Sequence, residues 1–213
     1  MRIADEGPPI QSSKMRQFIK MLVYLFAIAI VSPLGWAERF ARKIAGRDVW
    51  FECHGDLLSL VPGKFGRYLR NSYYWITLEN CPLNCCFLFG MSFTHSGVSV
   101  GQRVYVGSHS LIGLARLGDD TLVGDHVHVL SGKQQHHFSD ETVRIQDQPQ
   151  SFTMISIGKN CWLGTNCVVM DSVGDNCVIG ASSVVTHAIP DNSIAVGNPA
   201  RVLRTRPRAR PAT

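Results

Sequence analysis

The sequence predicts a mainly β protein, a β-helix of stacked short strands, fronted by an α-helical N-terminal region. Three observations carry this. An aliphatic residue followed by glycine recurs about every six residues, from Val100-Gly101 through Val106-Gly107, Ile112-Gly113, Leu117-Gly118 and Val123-Gly124. The phrase stops and then resumes at Ile157-Gly158, Leu163-Gly164, Val173-Gly174 and Ile179-Gly180. Upstream lies an apolar run with cations on both flanks. Such a repeat is the sequence signature of a solenoid.

Residues 1–13 are polar, with Gly7, Pro8 and Pro9, and are expected to be disordered. Residues 14–75 form an apolar helical region, expected to associate with a membrane. Its unbroken apolar stretch is 21–31, and Ser32-Pro33 is expected to break the helix. A membrane span needs about 20 apolar residues. Extending to 18–36 reaches that length only by including Lys20 and Pro33. Lys14, Arg16 and Lys20 precede the stretch, and Arg39, Arg42, Lys43 and Arg47 follow it, so the flanking charge sets no orientation. An in-plane helix anchored by Trp36 and the arginines is one reading. Packing against the coil or a sister subunit is the other. The patch 57–61 and the aromatic-rich 68–75 suit either reading, and 62–66 reads as a turn between them.

Residues 76–205 form the coil. Each six-residue unit makes a short strand and a corner. The aliphatic residue points inward, and the glycine after it is expected to let the backbone bend without a Cβ clash. Three units close one triangular turn, and stability comes from stacking turn on turn. A sandwich or barrel would not hold glycine at fixed phase for so long. One spacing departs from the pattern. Val169 to Val173 is two residues short of a full unit, so the coil must tighten or shift phase there. Residues 206–213 are a basic tail.

The segments 157–164, 178–186 and 195–201 carry a resemblance to a known family. They read Ile-Gly-Lys-Asn-Cys-Trp-Leu-Gly, Val-Ile-Gly-Ala-Ser-Ser-Val-Val-Thr and Ala-Val-Gly-Asn-Pro-Ala-Arg. The chain resembles the hexapeptide-repeat acyltransferases, most of all the sugar and polysaccharide O-acetyltransferases. That resemblance implies a left-handed parallel β-helix, a homotrimer with active sites between subunits, acetyl-CoA as co-substrate and a sugar or glycan hydroxyl as acceptor. An acetyl-CoA-dependent coil belongs in the cytoplasm, here at the inner face of a membrane. Two other readings remain: a carbonic-anhydrase-like β-helix with zinc between subunits, and a trimeric scaffold without catalysis.

Net charge is +5, with arginines crowded at Arg201, Arg204, Arg206, Arg208 and Arg210. No nucleic-acid motif or aromatic-interleaved basic face accompanies them, so nucleic acid is not an expected partner. The seven cysteines contain no pair of CxxC motifs, and neither a structural zinc nor another metal is expected. Free thiols in a reducing cytosol are the simplest reading, with Cys161, Cys167 and Cys177 standing where small apolar residues would serve.

The gap in the repeat, 131–154, points to the chemistry, because solenoid insertions are loops that often carry function. It holds Gln135-His136-His137-Phe138-Ser139-Asp140. In the family, a loop at this point carries the catalytic histidine in a segment like Asn-His-x-x-x-Asp. The resemblance therefore places catalysis on His136 or its neighbour His137. Imidazole titrates near neutrality and can take the proton of an attacking hydroxyl. His126 and His128 flank Val127, and strand alternation would put both on one outward face. His54, His95 and His109 read as surface or packing residues. The resemblance further implies that Trp162, Thr165, Ala181, Thr186, His187 and Arg204 border the cofactor. His187 stands where many relatives have lysine. Arg206, Arg208 and Arg210 read as a solvated tail.

Overall fold

The computed structural model describes residues 14–207. The disorder expected for 1–13 and the solvated role expected for Arg208 and Arg210 lie outside the described residues.

Three helices come first: α1 (Lys14–Ala45), α2 (Phe51–Ser59) and α3 (Gly63–Thr77). The break expected at Ser32-Pro33 does not occur, and α1 runs through Pro33 to Ala45. Proline removes a single intrahelical donor, and α1 packs against α3. Ser32 Oγ also turns back to donate to the Ile28 carbonyl at 2.6 Å. The turn expected over 62–66 is narrower, because α3 begins at Gly63, whose φ of +70° suits glycine.

From Cys86 onward, short parallel strands visit three sheets in rotation. The regular coil therefore starts later than residue 76, after an isolated bridge between Asn80 and Ser99. The first face holds Cys86–Phe87, Tyr105–Val106, Leu122–Val123, Trp162–Leu163, Val178–Ile179 and Ser193–Val196. The second holds Ser92–Phe93, Leu111–Ile112, His128–Val129, Val168–Val169 and Val184–Val185. The third holds Ser99–Val100, Ala115–Leu117 and Ile155–Ile157, continued by single bridges at Val173 and Ile189. A final strand, Arg201–Thr205, folds back antiparallel on the first face.

The register explains the short spacing after Val169. Partners lie 17 residues apart in the middle coils, as in Tyr105 with Leu122. They lie 16 apart in the last coils, as in Trp162 with Val178. The coil tightens at the third face, where a full strand gives way to one bridging residue, and its phase is kept. The inward ladders stay aligned: Val106, Val123, Leu163 and Ile179 on the first face are all fully buried.

The glycines act differently from the sequence expectation. The left-handed corner conformation falls two positions later, at residues such as Arg103, Asp120, Asn160, Asn166 and Asn176, with φ between 53° and 61°. Asn and Asp tolerate that region best after glycine. The glycine is needed because the neighbouring coil lies directly over it. A Cβ on Gly164 would sit 2.6 Å from the Ala181 amide nitrogen, and one on Gly118 would sit 2.5 Å from that of Lys159.

The coil cysteines are also more than small apolar fillers. Cys161, Cys167 and Cys177 donate to the carbonyls of Gly174, Gly180 and Pro190 at 3.0, 2.9 and 3.1 Å. Thr121 makes the same bond to Gly158 at 2.7 Å. These corner side chains satisfy carbonyls that would otherwise be buried without a donor. All seven cysteines are free thiols.

The outward positions divide the faces. Tyr105, Leu122, Trp162, Val178 and Ile194 stack along the first, and Leu111, His128, Val168 and Val184 along the second. Ser99, Arg116 and Ser156 occupy the third. The first face is thus apolar outside as well as inside, and the third is polar.

Candidate active site

The insertion leaves and rejoins the coil at the corner between the second and third faces. The step from Leu122 to Trp162 is 40 residues, so this coil carries 23 more than its 17-residue neighbour. At the neck, the Thr153 amide donates to the Ser131 carbonyl at 2.9 Å, and Ser131 Oγ accepts from the Leu114 amide at 2.8 Å. Above it the chain doubles back. The Ser151 amide donates to Gln135 and the His137 amide to Pro149, both at 3.1 Å, around a bridge between His136 and Gln150. At the far end, buried Gln148 donates to the carbonyls of Asp140 and Val143 at 2.8 and 2.9 Å. The insertion is therefore a folded arm. Lys133 pairs with Asp171 of the next coil at 2.7 Å and pins its base. Partial burial pushes the Asp171 carboxyl up, but Lys133 and the Ser172 amide outweigh it and hold it below its ordinary value.

Asp140, the last residue of the His-x-x-x-Asp pattern, serves the arm's own geometry. Its Oδ1 accepts from the Thr142 hydroxyl and amide at 2.6 and 2.9 Å. Those bonds hold the Asp140 carboxyl below its ordinary value.

His136 and His137 are both exposed, and they face different surroundings. His136 lines a 260 Å³ pocket between arm and coil, together with Glu52 at the start of α2, Thr94, His95, Ser131 and Gln135. His137 borders a 210 Å³ hollow with Gln134, Phe138 and Ser139, which His136 also lines. Of the two, only His136 reaches the pocket against the coil.

His95, expected to be an ordinary surface or packing residue, also lines this pocket. Its Nδ1 lies 2.7 Å from Thr94 Oγ1, and its ring meets Phe152 of the arm edge-on at 4.9 Å between centroids. The repeat frame could have found it. Ser92-Phe93 pairs with Leu111-Ile112, which pairs with His128-Val129, so Thr94-His95 occupies the corner from which the arm springs two coils later. Glu52 had no such signal, because a helix outside the repeat delivers it.

His126 and His128 do not share a strand face. His126 is a corner residue with φ 55°, stacked on His109 at 5.2 Å, while His128 points outward from the second face. The period of two holds only within strands, and these strands are two residues long.

The residues expected at the cofactor fall into three places. Thr165 and Ala181 are exposed on successive coils at the corner between the first and second faces. Thr186 and His187 lie at the next corner, joined by a 2.9 Å hydrogen bond, with Asp171 close enough to feel the His187 charge. Trp162, 53% exposed, and Arg204, on the antiparallel strand, belong to the first face. One chain does not bring the three together. Arg206 is not merely solvated: it donates to the Asn160 and Asn176 carbonyls at 3.1 and 3.3 Å and ties the chain end to the coil. Among the described residues, no three His, Cys, Asp or Glu side chains are grouped to hold a metal ion.

Known proteins fit this architecture. The family model described as the hexapeptide repeat of succinyl-transferase matches residues 154–187 and 172–202. No curated protein matches the sequence. A hexapeptide-repeat acetyltransferase from Vibrio cholerae superposes with a TM-score of 0.63 at 19% identity, covering 74% of this chain and 92% of its own. A maltose O-acetyltransferase from Clostridium difficile 630 gives 0.63 at 21% identity, covering 74% and 87%. A galactoside acetyltransferase in complex with coenzyme A gives 0.56 at 25% identity, covering 73% and 80%. The chain carries the hexapeptide repeat and shares its fold with the hexapeptide-repeat acetyltransferases.

Proposed function

We propose that this protein is a CoA-dependent acyltransferase that moves an acetyl group from acetyl-CoA to a hydroxyl of a sugar or surface-glycan precursor, with His136 as general base. The observation that carries the reading is the position of His136, on a folded arm and lining a pocket against the coil. An acceptor hydroxyl seated there gives its proton to the imidazole as its oxygen attacks the thioester carbonyl. The tetrahedral intermediate then expels the CoA thiolate, which takes the proton back from the imidazolium. Most of the barrier reduction comes from alignment of the two substrates. Glu52, Thr94, His95 and Gln135 offer the hydrogen-bonding groups that a polyol needs, and Phe152 gives a sugar ring an apolar surface. The fold shared with a galactoside and a maltose acetyltransferase supports the substrate class.

The coil is left-handed in this reading, and the working unit is a trimer. A cofactor that touches Thr186 and His187 at one corner and also Trp162 and Arg204 on the first face must lie between two copies. The exposed apolar ladder of Leu122 and Trp162 supplies the surface they bury.

Acyl transfer from a panel of acyl-CoAs tests the reading on wild type, His136→Ala and His137→Ala. The first variant should lose about 10²–10⁴-fold in kcat, and the second less than about tenfold. Equal losses, or loss in His137→Ala alone, would remove His136 from the role. Acetyl-CoA failing to bind at all would return the coil to scaffold status.

A further inference from the structure

We infer that α1 lies in the plane of an anionic lipid surface, its outer apolar side in the headgroup and acyl boundary and its inner side fixed to the protein. The inner anchors recur along the helix. The Tyr24 hydroxyl donates to the Leu83 carbonyl, and Ala27 and Val31 are fully buried. Gly35 fits against Ile76 so closely that a Cβ would fall 2.8 Å from its Cγ2. Glu38, also fully buried, accepts from the Trp50 amide at 2.7 Å, while Arg39 and Arg42 donate to the carbonyls of Ile76 and Thr77 at 2.7 and 3.1 Å. A helix tied down from residue 24 to residue 42 cannot leave its own protein to thread a bilayer without stripping a buried carboxylate of its donors.

The opposite side is bare. Phe18, Leu22, Phe26, Trp36, Phe40 and Ile44 recur at helical spacing there, each between 48% and 72% exposed. Only 17% of the helix's most apolar 18-residue window is buried. Phe65 of α3 extends this surface, its ring 6.5 Å from that of Phe26. At 32 residues the helix is about 48 Å long, well beyond a hydrocarbon core of about 30 Å.

Charge selects the occupant. Toward the C-terminal end of the stripe stand Arg39 and Lys43, both exposed, and the helix's one carboxylate, Glu38, is buried. A second copy on this face would oppose those cations with the same cations. Anionic headgroups complement them. Trp36 and Phe40 share one hollow with Arg39, Arg42 and Lys43, the mixture of aromatic and cation that settles at a bilayer interface.

The test uses the full chain, moved from mild detergent to phosphatidylcholine vesicles with or without phosphatidylglycerol. Flotation should be about tenfold stronger with the anionic lipid. Phe26→Glu with Phe40→Glu should lower it by about tenfold or more, while helix content and acyl transfer in detergent stay unchanged. Nitroxide labels at Phe18→Cys, Phe26→Cys and Phe40→Cys, in a Cys53→Ser background, should report one common shallow depth. Position 26 deepest, with 18 and 40 near opposite surfaces, would show a span and overturn the inference. So would absence of vesicle binding, binding indifferent to anionic lipid, or glutamates that shrink an oligomer without touching flotation. None of these outcomes bears on His136, so this inference and the acyltransferase reading fail separately.

Discussion

The coil and the helical cap in front of it are stable for different reasons. The coil is held by repetition: inward apolar residues, close-packed glycines and corner donors recur from turn to turn. The cap is held by individual polar anchors, none repeated. Arg70 is the clearest. It is 1% exposed and donates to four carbonyls, those of Phe87 at 3.1 Å, Leu58 at 2.9 Å, Ser59 at 3.3 Å and Val61 at 2.8 Å. One guanidinium thus closes the end of α2 and fastens α3 to the first face. A repeat spreads its stability over many small equivalent contacts, whereas a cap of this kind concentrates it in a few.

Arg70→Met should break the comparison open most sharply. It leaves several buried carbonyls without a donor, which costs about 3–5 kcal/mol. The helical circular-dichroism signal should melt first, at lower urea, while the coil's β signal persists. A single transition shifted as a whole would show that cap and coil fold as one unit.

The same contrast explains what the sequence disclosed. A period can be read from a single chain, so the three ladders, the site of insertion and even the shortened coil after Val169 were legible. The purpose of each glycine was misread, because a clash with the next coil leaves no mark along the chain. The anchors were illegible for the same reason. Arg70, Glu38 and Asp48 look like ordinary surface charges until Leu58, Trp50 and Ser96 arrive beside them. The candidate site lies between these cases. The arm and its histidines show as a gap in the repeat, and His95 follows from the phase of the coil. Glu52 comes from α2, and the separation of the cofactor residues over two corners and one face depends on the three-sided shape.

Gly164→Ala probes the coil's side of the comparison with a smaller expected loss. The new Cβ would meet the Ala181 amide at 2.6 Å, and backbone cannot swing aside as a side chain does. Overpacking of this kind costs about 1–3 kcal/mol. Repetition should spread the strain over the turns, so the coil's β signal should still melt in one transition, at lower urea. A second β transition would mean that the turns are less tightly coupled than the shared ladders imply.

The smallest effect on stability is expected where the arm meets the coil. Lys133 and Asp171 are 44% and 25% exposed, so their bond should add well under about 1 kcal/mol to folding. Its consequence is local. Because the Asp171 carboxyl is held below its ordinary value, the anchor is in place above the ordinary carboxylate pKa. It is lost as pH falls through the lowered one. At pH 8, Asp171→Asn should leave the urea midpoint almost unchanged while trypsin cuts faster after Arg144, 76% exposed in the arm. Cap and coil should stay intact. An unchanged cutting rate would mean that the hydrogen bonds of Ser131, Gln135 and Gln148 hold the arm and place His136 without the ion pair.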